Sequence, residues 1–199
     1  NTLVLSLYSL IVTTPCSILL ALALNYVGNV RFKKTVQMIT YCPYFISTIV
    51  FVGIINMMFD NRMGVLGSFL YNHFGINVLG SPGIFPSLYV WSGVWQGVGF
   101  GAIIYIAALA GVDMQQHEAA IIDGATLLQR IRYVDIPAIL PTAIIMLILD
   151  CGRVMNIGFE KVYLMQNSLN LSYSEVITTY VYKMAFGGNA NFSYSTAVG

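Results

Sequence analysis

Charged side chains are scarce in this sequence, at 9% of 199 residues, whereas an ordinary soluble domain carries about 25%. Nine Lys and Arg stand against eight Asp and Glu, so the net charge is only +1. This balance argues against a nucleic-acid partner, an acidic tail or a disordered chain. With 57% hydrophobic residues, the composition instead predicts a chain whose solvent is the lipid bilayer.

Cysteine and histidine are also few, and neither forms a recognisable pattern. Cys16, Cys42 and Cys151 lie in three different apolar stretches without a CxxC spacing, and His73 and His117 are far apart. We therefore predict buried free thiols rather than a disulfide framework or a metal site. Because no nucleophile, base or metal ligand is clustered, we also predict no catalytic residue and no cofactor bound by this chain.

Long uncharged runs are what the sequence does contain. Residues 1–30, 35–59 and 63–112 include no Asp, Glu, Lys or Arg. A helix needs about 20 apolar residues to cross hydrocarbon, so each of the first two runs predicts one membrane-spanning helix. The third run begins with turn-forming and polar residues, which leaves room for one span.

Further spans follow toward the end of the sequence. The third span is predicted over 86–111 and the fourth over 137–156, and 192–199 has the composition of the start of a fifth. Asp150 and Arg153 fall in the final turns of the fourth span, at the separation that allows an ion pair on one helix face. The predicted fold is an all-α polytopic transmembrane helix bundle, forming one domain over 1–199 inside a longer polypeptide.

Small residues recur within the third span. Gly93, Gly97 and Gly101 are spaced by four residues, which is typical of a helix face that packs closely against another membrane helix. A phosphate-binding loop is a poor interpretation of these glycines, because no Lys-Ser or Lys-Thr follows them.

The basic residues predict an orientation, since Lys and Arg of short loops are retained in the cytoplasm. One predicted side holds Arg31, Lys33, Lys34, Arg130 and Arg132. The other side holds Arg62, Lys161 and Lys183. We therefore expect the loop at about 112–137 to be cytoplasmic and the segment 158–191 to be external.

The loop at 112–137 is the most charged part of the chain. Helix-forming residues lie on both sides of Gly124, and Pro137 follows. This pattern predicts two short helices joined by an elbow at Gly124, with the second helix ended by Pro137. About 25 ordered residues between two spans indicate a docking surface. The alternative is an amphipathic connector lying on the lipid surface, which would require more Lys and Arg.

The same loop resembles a known motif. Glu118-Ala119-Ala120 is followed after three residues by Gly124, and after nine more by Val134-Asp135-Ile136-Pro137. This order resembles the EAA motif, EAA-x3-G-x9-I-x-L-P, of the membrane subunits of binding-protein-dependent ABC importers, with conservative departures at Val134 and Ile136. The resemblance implies the core of a type I ABC importer permease in which the first and last family helices are missing or incomplete.

Two further segments narrow the resemblance. Residues 156–167 (NIGFEKVYLMQN) and 174–182 (SEVITTYVY) are similar to permeases for complex saccharides, a group that includes alginate and pectin-oligosaccharide permeases. The implied substrate is an oligo- or polysaccharide, with acidic glycans such as alginate included. No motif identifies the glycan.

The resemblance also implies partners and a location. A permease of this group lies in the bacterial inner membrane as a multi-pass protein and pairs with a second permease, for which we expect a different chain. Two cytoplasmic ATPase subunits hold the ATP and Mg, and an external solute-binding protein delivers the sugar.

Within the loop, the resemblance implies that Glu118 meets basic residues in a cleft of the ATPase. Ala119 and Ala120 would let the helix approach the wall of the cleft, although ordinary helix propensity also explains two alanines. The implied coupling residues are Glu118, Ala119, Ala120, Asp123, Gly124 and Pro137.

The sugar path is a weaker inference from residue types. The candidates are Asp150, Arg153, Asn156 and Trp95. The alternatives are that Asp150 and Arg153 anchor the helix at the outer interface, and that Trp95 belongs to an aromatic belt with Tyr89 and Trp91.

In the external segment we expect a short helix near 175–183, which would border either the sugar path or a simple lid. Asn167, Asn170 and Tyr173 are the candidates for the side facing the binding protein. A rival function is an ion-coupled secondary transporter, which needs intramembrane acids. In the predicted spans, Asp150 alone meets that requirement.

Overall fold

The computed structural model describes residues 1–187 and 192–199, and these residues form helices and no strand. The all-α prediction is therefore confirmed. The helices are α1 Thr2–Asn25, α2 Val30–Tyr41, α3 Thr48–Phe59, α4 Val65–Phe74, α5 Phe85–Ala110, α6 Met114–Ile122, α7 Leu127–Arg130, α8 Ile136–Cys151, α9 Phe159–Met165, α10 Leu171–Ser174, α11 Ile177–Phe186 and α12 Phe192–Val198.

Three helical stretches in the described part of the chain are long and apolar enough to cross a membrane: Thr2–Asn25, Pro82–Ala110 and Leu127–Cys151. The first confirms the span predicted in run 1–30. The second confirms the span predicted from residue 86, and its first turn, Pro82–Ile84, is a 3₁₀ helix.

The second run is not one straight span, which corrects the prediction. It is divided into α2, a 3₁₀ turn at Cys42–Phe45 and α3, a bent pair that together could cross the membrane once. Pro43 lies within the 3₁₀ turn, and Ser47 then adopts an extended conformation before α3 begins. A proline without its N–H in an otherwise apolar run accounts for the break.

The fourth span starts ten residues earlier than predicted. The helix is continuous over Leu127–Cys151, so Pro137 does not end a separate short helix. A π-helical turn at Ile131–Asp135 precedes the proline, and Ile136 donates its N–H to the carbonyl of Ile131. The π-helical turn lies just before Pro137, and such a local adjustment accommodates the missing N–H of a proline inside a continuous helix.

The end of that span is also corrected. The helix ends at Cys151 rather than near Asn156, and a turn follows. Arg153 therefore lies beyond the helix, and the predicted ion pair along one helix face does not form. The thiols are free as predicted, but they are not buried as predicted: Cys42 and Cys151 are exposed and Cys16 is half-buried.

The chain divides into two compact units. One consists of residues 1–9, 46–92 and 153–199, and the other of residues 10–45 and 93–152. In the second unit α1, α5 and α8 share an apolar core. Its buried members are Ala21, Leu22, Ala102, Tyr105, Leu109 and Ile139.

Glycines allow close approach within this second unit, although not all of those predicted. A Cβ at Gly101 would lie 2.8 Å from Oγ of Ser17 on α1, and one at Gly99 would collide with the backbone of Thr40 on α2. Gly97 has nothing within 4 Å of that position. Among the described residues, the predicted close packing is therefore confirmed at Gly101, while Gly97 faces open space and the close approach at Gly99 was not predicted.

The first unit contains the segment predicted to be external, of which residues 188–191 lie outside the described part of the chain. The short helix expected near 175–183 is present as α11, and Val176 and Thr179 are buried. Helices α9 and α10 were not predicted. They lie in the segment 158–191, in which only the helix near 175–183 was predicted.

Candidate functional site

The elbow at Gly124 forms as predicted. Gly124 has φ of +76°, a left-handed conformation that favours glycine. Its N–H donates to the carbonyl of Ile121 at 3.0 Å, and Ala125 donates to Ala120 at 2.9 Å. These two bonds form a Schellman motif, which satisfies the last carbonyls of α6.

Capping side chains fix the ends of the two helices that meet at the elbow. Asp113 caps α6 by accepting from the N–H of Gln115 at 3.0 Å. Beyond the elbow, Thr126 and Gln129 form a reciprocal capping box at the start of α7. The sequence therefore defines the conformation of this loop locally, independently of any partner.

Helix α6 presents an open surface. Glu118, Ala119 and Asp123 are exposed, and no hydrogen bond or ion pair joins Glu118 to another residue in the described ranges 1–187 and 192–199. Ile122 is 84% exposed, and Met114 and Ile121 are also exposed. An accessible carboxylate surrounded by apolar side chains is suited to docking against another protein.

A groove of about 430 Å³ runs beside α6. Glu118 and Arg130 both line it, together with residues from the ends of α1 and α5. The lining of the groove thus combines an acidic and a basic side chain with apolar residues such as Leu109 and Ile121.

Asp135 is a functional candidate that was not among the predicted site residues. Its side chain is 0% exposed. The hydroxyl of Tyr26 donates to Oδ2 of Asp135 at 2.5 Å, and Nε2 of His117 lies 3.4 Å from Oδ1. Burial, together with this hydrogen bond, raises the pKa of Tyr26 to about 12. The guanidinium of Arg130 lies 5.6 Å from the centre of the Tyr26 ring.

The candidates for a sugar path fall in both units. Asp150 and the exposed Trp95 belong to the second unit, and the exposed Arg153 and Asn156 belong to the first. Asn156 lines an open cavity of about 650 Å³ within the first unit. In that unit the indole N–H of Trp91 donates to the hydroxyl of Tyr8 at 3.2 Å, so the polar group of Trp91 already has a partner.

Aromatic rings that the sequence analysis did not select line or adjoin this cavity. Phe159 stacks on Tyr163 with ring centres 5.4 Å apart, and Tyr182 lies 5.0 Å from Phe159 and 5.2 Å from Phe186. The spacing of Phe159 and Tyr163 on α9, and of Tyr182 and Phe186 on α11, is four residues. That repeat is the signal from which they could have been found.

The external candidates differ in accessibility. Asn170 is only 2% exposed. Its side-chain N–H groups donate to the carbonyls of Leu79 and Met165, and its side-chain oxygen accepts from the hydroxyl of Ser174. Its polar atoms are used inside the unit, so we withdraw it as a contact for the binding protein. Asn167 is exposed but also donates to Leu79, at 2.7 Å, and Tyr173 is exposed.

Comparison with known proteins places this geometry in a family. Residues 13–198 match the family described as binding-protein-dependent transport system inner membrane component. The chain belongs to this family. It is thus a membrane protein of the permease class.

Curated relatives agree with this membership. Protein LplB of Bacillus subtilis (strain 168) is 41% identical over 100% of this chain and 63% of its own length. The polygalacturonan/rhamnogalacturonan transport system permease protein YteP of the same organism is 39% identical over 100% of this chain and 62% of its own. The chain thus spans a little under two thirds of the length of these two relatives.

Solved structures have the same fold. A bacterial ABC transporter involved in the import of the acidic polysaccharide alginate matches with a TM-score of 0.94 at 34% identity, covering 100% of this chain and 70% of that chain. A second structure, of a bacterial alginate ABC transporter in complex with an alginate pentasaccharide-bound periplasmic protein, matches with a TM-score of 0.93 at 33% identity, covering 100% of this chain and 69% of that chain.

Proposed function

We propose that this chain is the core of a permease subunit that imports an oligo- or polysaccharide, driven by a partner ATPase in the cytoplasm. The observation that carries the proposal is the capped and exposed helix α6, which presents Glu118 before the left-handed Gly124 in the order of the EAA motif. The family membership supports it. The ion-coupled alternative receives no support from that membership.

In the proposed mechanism α6 docks in a cleft of the ATPase, which holds the ATP and Mg. Glu118 pairs with basic residues there, and the exposed apolar side chains Met114, Ile121 and Ile122 bury against the cleft. Closure of the ATPase then moves α6, and the membrane helices convert that movement into alternating access. A second permease, expected to be a different chain, and an external solute-binding protein complete the importer.

The substrate we propose is an acidic saccharide. Polygalacturonan and rhamnogalacturonan appear in the name of a relative that is 39% identical, and alginate is the cargo of the transporter that is 34% identical. A cationic side chain along the route would complement the negative charge of uronate-containing chains, and Arg153 is exposed just beyond the end of α8. Asp150, Asn156 and Trp95 remain candidates for the same path.

The coupling role is tested with Glu118→Ala in the full-length protein, expressed together with its partner subunits. Losing one partner of a buried interfacial charge pair costs about 2 to 5 kcal/mol, so sugar uptake should be abolished and less ATPase should copurify. Insertion into the membrane should not change. Gln115→Ala, an exposed change on the same helix, is the matched control. Normal uptake by Glu118→Ala would refute the proposal.

The substrate class is tested by competition in the same cells. Galacturonate and alginate oligosaccharides should inhibit uptake of a labelled oligogalacturonide, whereas neutral arabino-oligosaccharides should not. Arg153→Gln should weaken uptake of the acidic probe. Equal inhibition by the neutral sugars would exclude an acidic specificity.

A further inference from the structure

Three residues that are distant in sequence converge on one buried carboxylate in the second unit. Tyr26 lies just after α1, His117 lies on α6, and Asp135 lies in the π-helical turn that leads into α8. Each oxygen of Asp135 faces a different one of the other two residues. Oδ2 lies 2.5 Å from the Tyr26 hydroxyl, and Oδ1 lies 3.4 Å from Nε2 of the His117 imidazole. We refer to Tyr26, His117 and Asp135 together as the Asp135 clasp.

The burial of this carboxylate is costly. A buried polar group without a hydrogen-bond partner is unfavourable, and Asp135 is 0% exposed with Oδ1 lacking a close hydrogen bond. An apolar residue in this position would avoid that cost. The π-helical turn Ile131–Asp135 is a second indication of a role, because such turns are frequent at functional sites.

The position of His117 indicates what that role is. His117 immediately precedes Glu118, so the two side chains project about 100° apart around α6. The imidazole is 15% exposed and points inward to Asp135, whereas Glu118 is exposed. Holding His117 therefore fixes the rotation of α6 about its axis, and with it the direction in which Glu118 points.

We propose that Asp135 is the positioning residue of α6, and that the Asp135 clasp ties this helix to the end of α1 and to the start of α8. This inference rests on the proposed function of α6 as the coupling helix. Without the clasp, α6 would keep its two backbone connections, the elbow at Gly124 and the short connection after α5, but would lose the contact of His117 with Asp135. A force applied to Glu118 would then rotate α6 and would not be transmitted to the membrane helices.

The test uses the complete transporter in proteoliposomes and measures two quantities, ATP hydrolysis and uptake of tetragalacturonate, with alginate pentasaccharide as the second probe. His117→Leu and Asp135→Ala remove the clasp. His117→Gln and Asp135→Asn are their matched controls, because an amide keeps a polar group at the position of the imidazole or carboxylate. We expect the first pair to bind the ATPase normally and hydrolyse ATP, but to import about tenfold less sugar per ATP.

The amide controls should restore the ratio of sugar to ATP to within about twofold of the wild type. A purely structural role would instead lower insertion and ATPase binding together and leave that ratio unchanged. If Asp135→Ala does not insert into the membrane, the comparison of His117→Leu with His117→Gln tests the proposal. The clasp is wrong if His117→Leu and His117→Gln have the same ratio of sugar to ATP as the wild type.

Glu118→Ala, measured in the same series, separates this inference from the proposed function. Loss of uptake in Glu118→Ala together with normal coupling in His117→Leu would overturn the clasp alone. Normal uptake in Glu118→Ala would overturn the proposed function, whatever the clasp variants do.

Discussion

At Gly124, backbone conformation alone decides whether another residue is tolerated. A Cβ at this position would meet nothing within 4 Å, so a side chain is not excluded by space. Its φ of +76° is nevertheless unfavourable for an L residue, by about 1 to 2 kcal/mol. We expect Gly124→Ala to lower sugar uptake and the thermal stability of the purified transporter.

Asparagine adopts left-handed conformations more readily than alanine, so Gly124→Asn should have a smaller effect than Gly124→Ala. The comparison is made by differential scanning fluorimetry and by uptake. An equal loss in both variants would mean that side-chain volume at the docked surface, rather than backbone strain, is responsible.

Single residues were predictable where the reason lay nearby in sequence. Gly124 could be identified because helix-forming residues flank it, and Glu118 through the spacing of the motif. Asp135 could not be identified, because its hydrogen-bond partner Tyr26 lies 109 residues earlier in the chain. Asn170 was misjudged for the same reason, since its amide bonds to Leu79, 91 residues away.

The packing of helix α9 predicts how the stability of the protein depends on pH. Lys161 points inward, where Nζ donates to the carbonyl of Tyr89 at 2.9 Å and lies 4.7 Å from the centre of the Tyr89 ring and 5.3 Å from that of Phe51. Burial lowers the pKa of Lys161 from 10.5 to about 7. The carbonyl and the two rings favour the charged form, and they oppose this shift.

The sign of the pH dependence follows from that shift. Between pH 7 and 10.5 the unfolded chain binds more protons at Lys161 than the folded chain, so stability should rise with pH over this window. As the pH falls from 10.5, this stability is lost progressively, and the loss is complete at about pH 7. Lys161→Met should remove the dependence, as measured by the thermal midpoint of the purified protein at pH 6 to 9. An unchanged slope in the variant would show that another group titrates.

The elements themselves were predictable where hydrophobic length decided them, as for α1 and α5. Prolines were not a reliable guide to their ends. Pro43 lies where the second run breaks, whereas Pro137 and Pro141 lie within the continuous helix Leu127–Cys151. In membrane helices, neighbouring polar groups and local π-helical turns compensate for the N–H that proline lacks. The sequence alone does not show where these groups lie.

At the scale of the whole molecule, composition alone was sufficient to predict an all-α membrane protein. The division into two compact units was not predictable, since it depends on contacts between helices that are distant in sequence. The hydrogen bond from Tyr26 to Asp135 has a further consequence for topology. It brings the end of α1 to the loop at 112–137, so the basic residues that follow α1 are expected on the same side as that loop.

That orientation can be tested across one helix. Gln116 on α6 and Ser168 beyond α9 are both exposed, and the span Leu127–Cys151 lies between them in the chain. Because Lys and Arg are retained in the cytoplasm, Gln116 should face inward and Ser168 outward. Asn170, being buried, is unsuitable as a labelling site.

The measurement places a single cysteine at Ser168 or at Gln116 in the full-length protein. Cys42 and Cys151 are exposed, so the native cysteines are first replaced by serine. A membrane-impermeant maleimide added to intact cells should label Ser168→Cys at once, and Gln116→Cys only after the membrane is permeabilised. The reverse pattern would place α6 outside the cell, where no ATPase could reach Glu118, and the coupling function would be excluded together with the orientation.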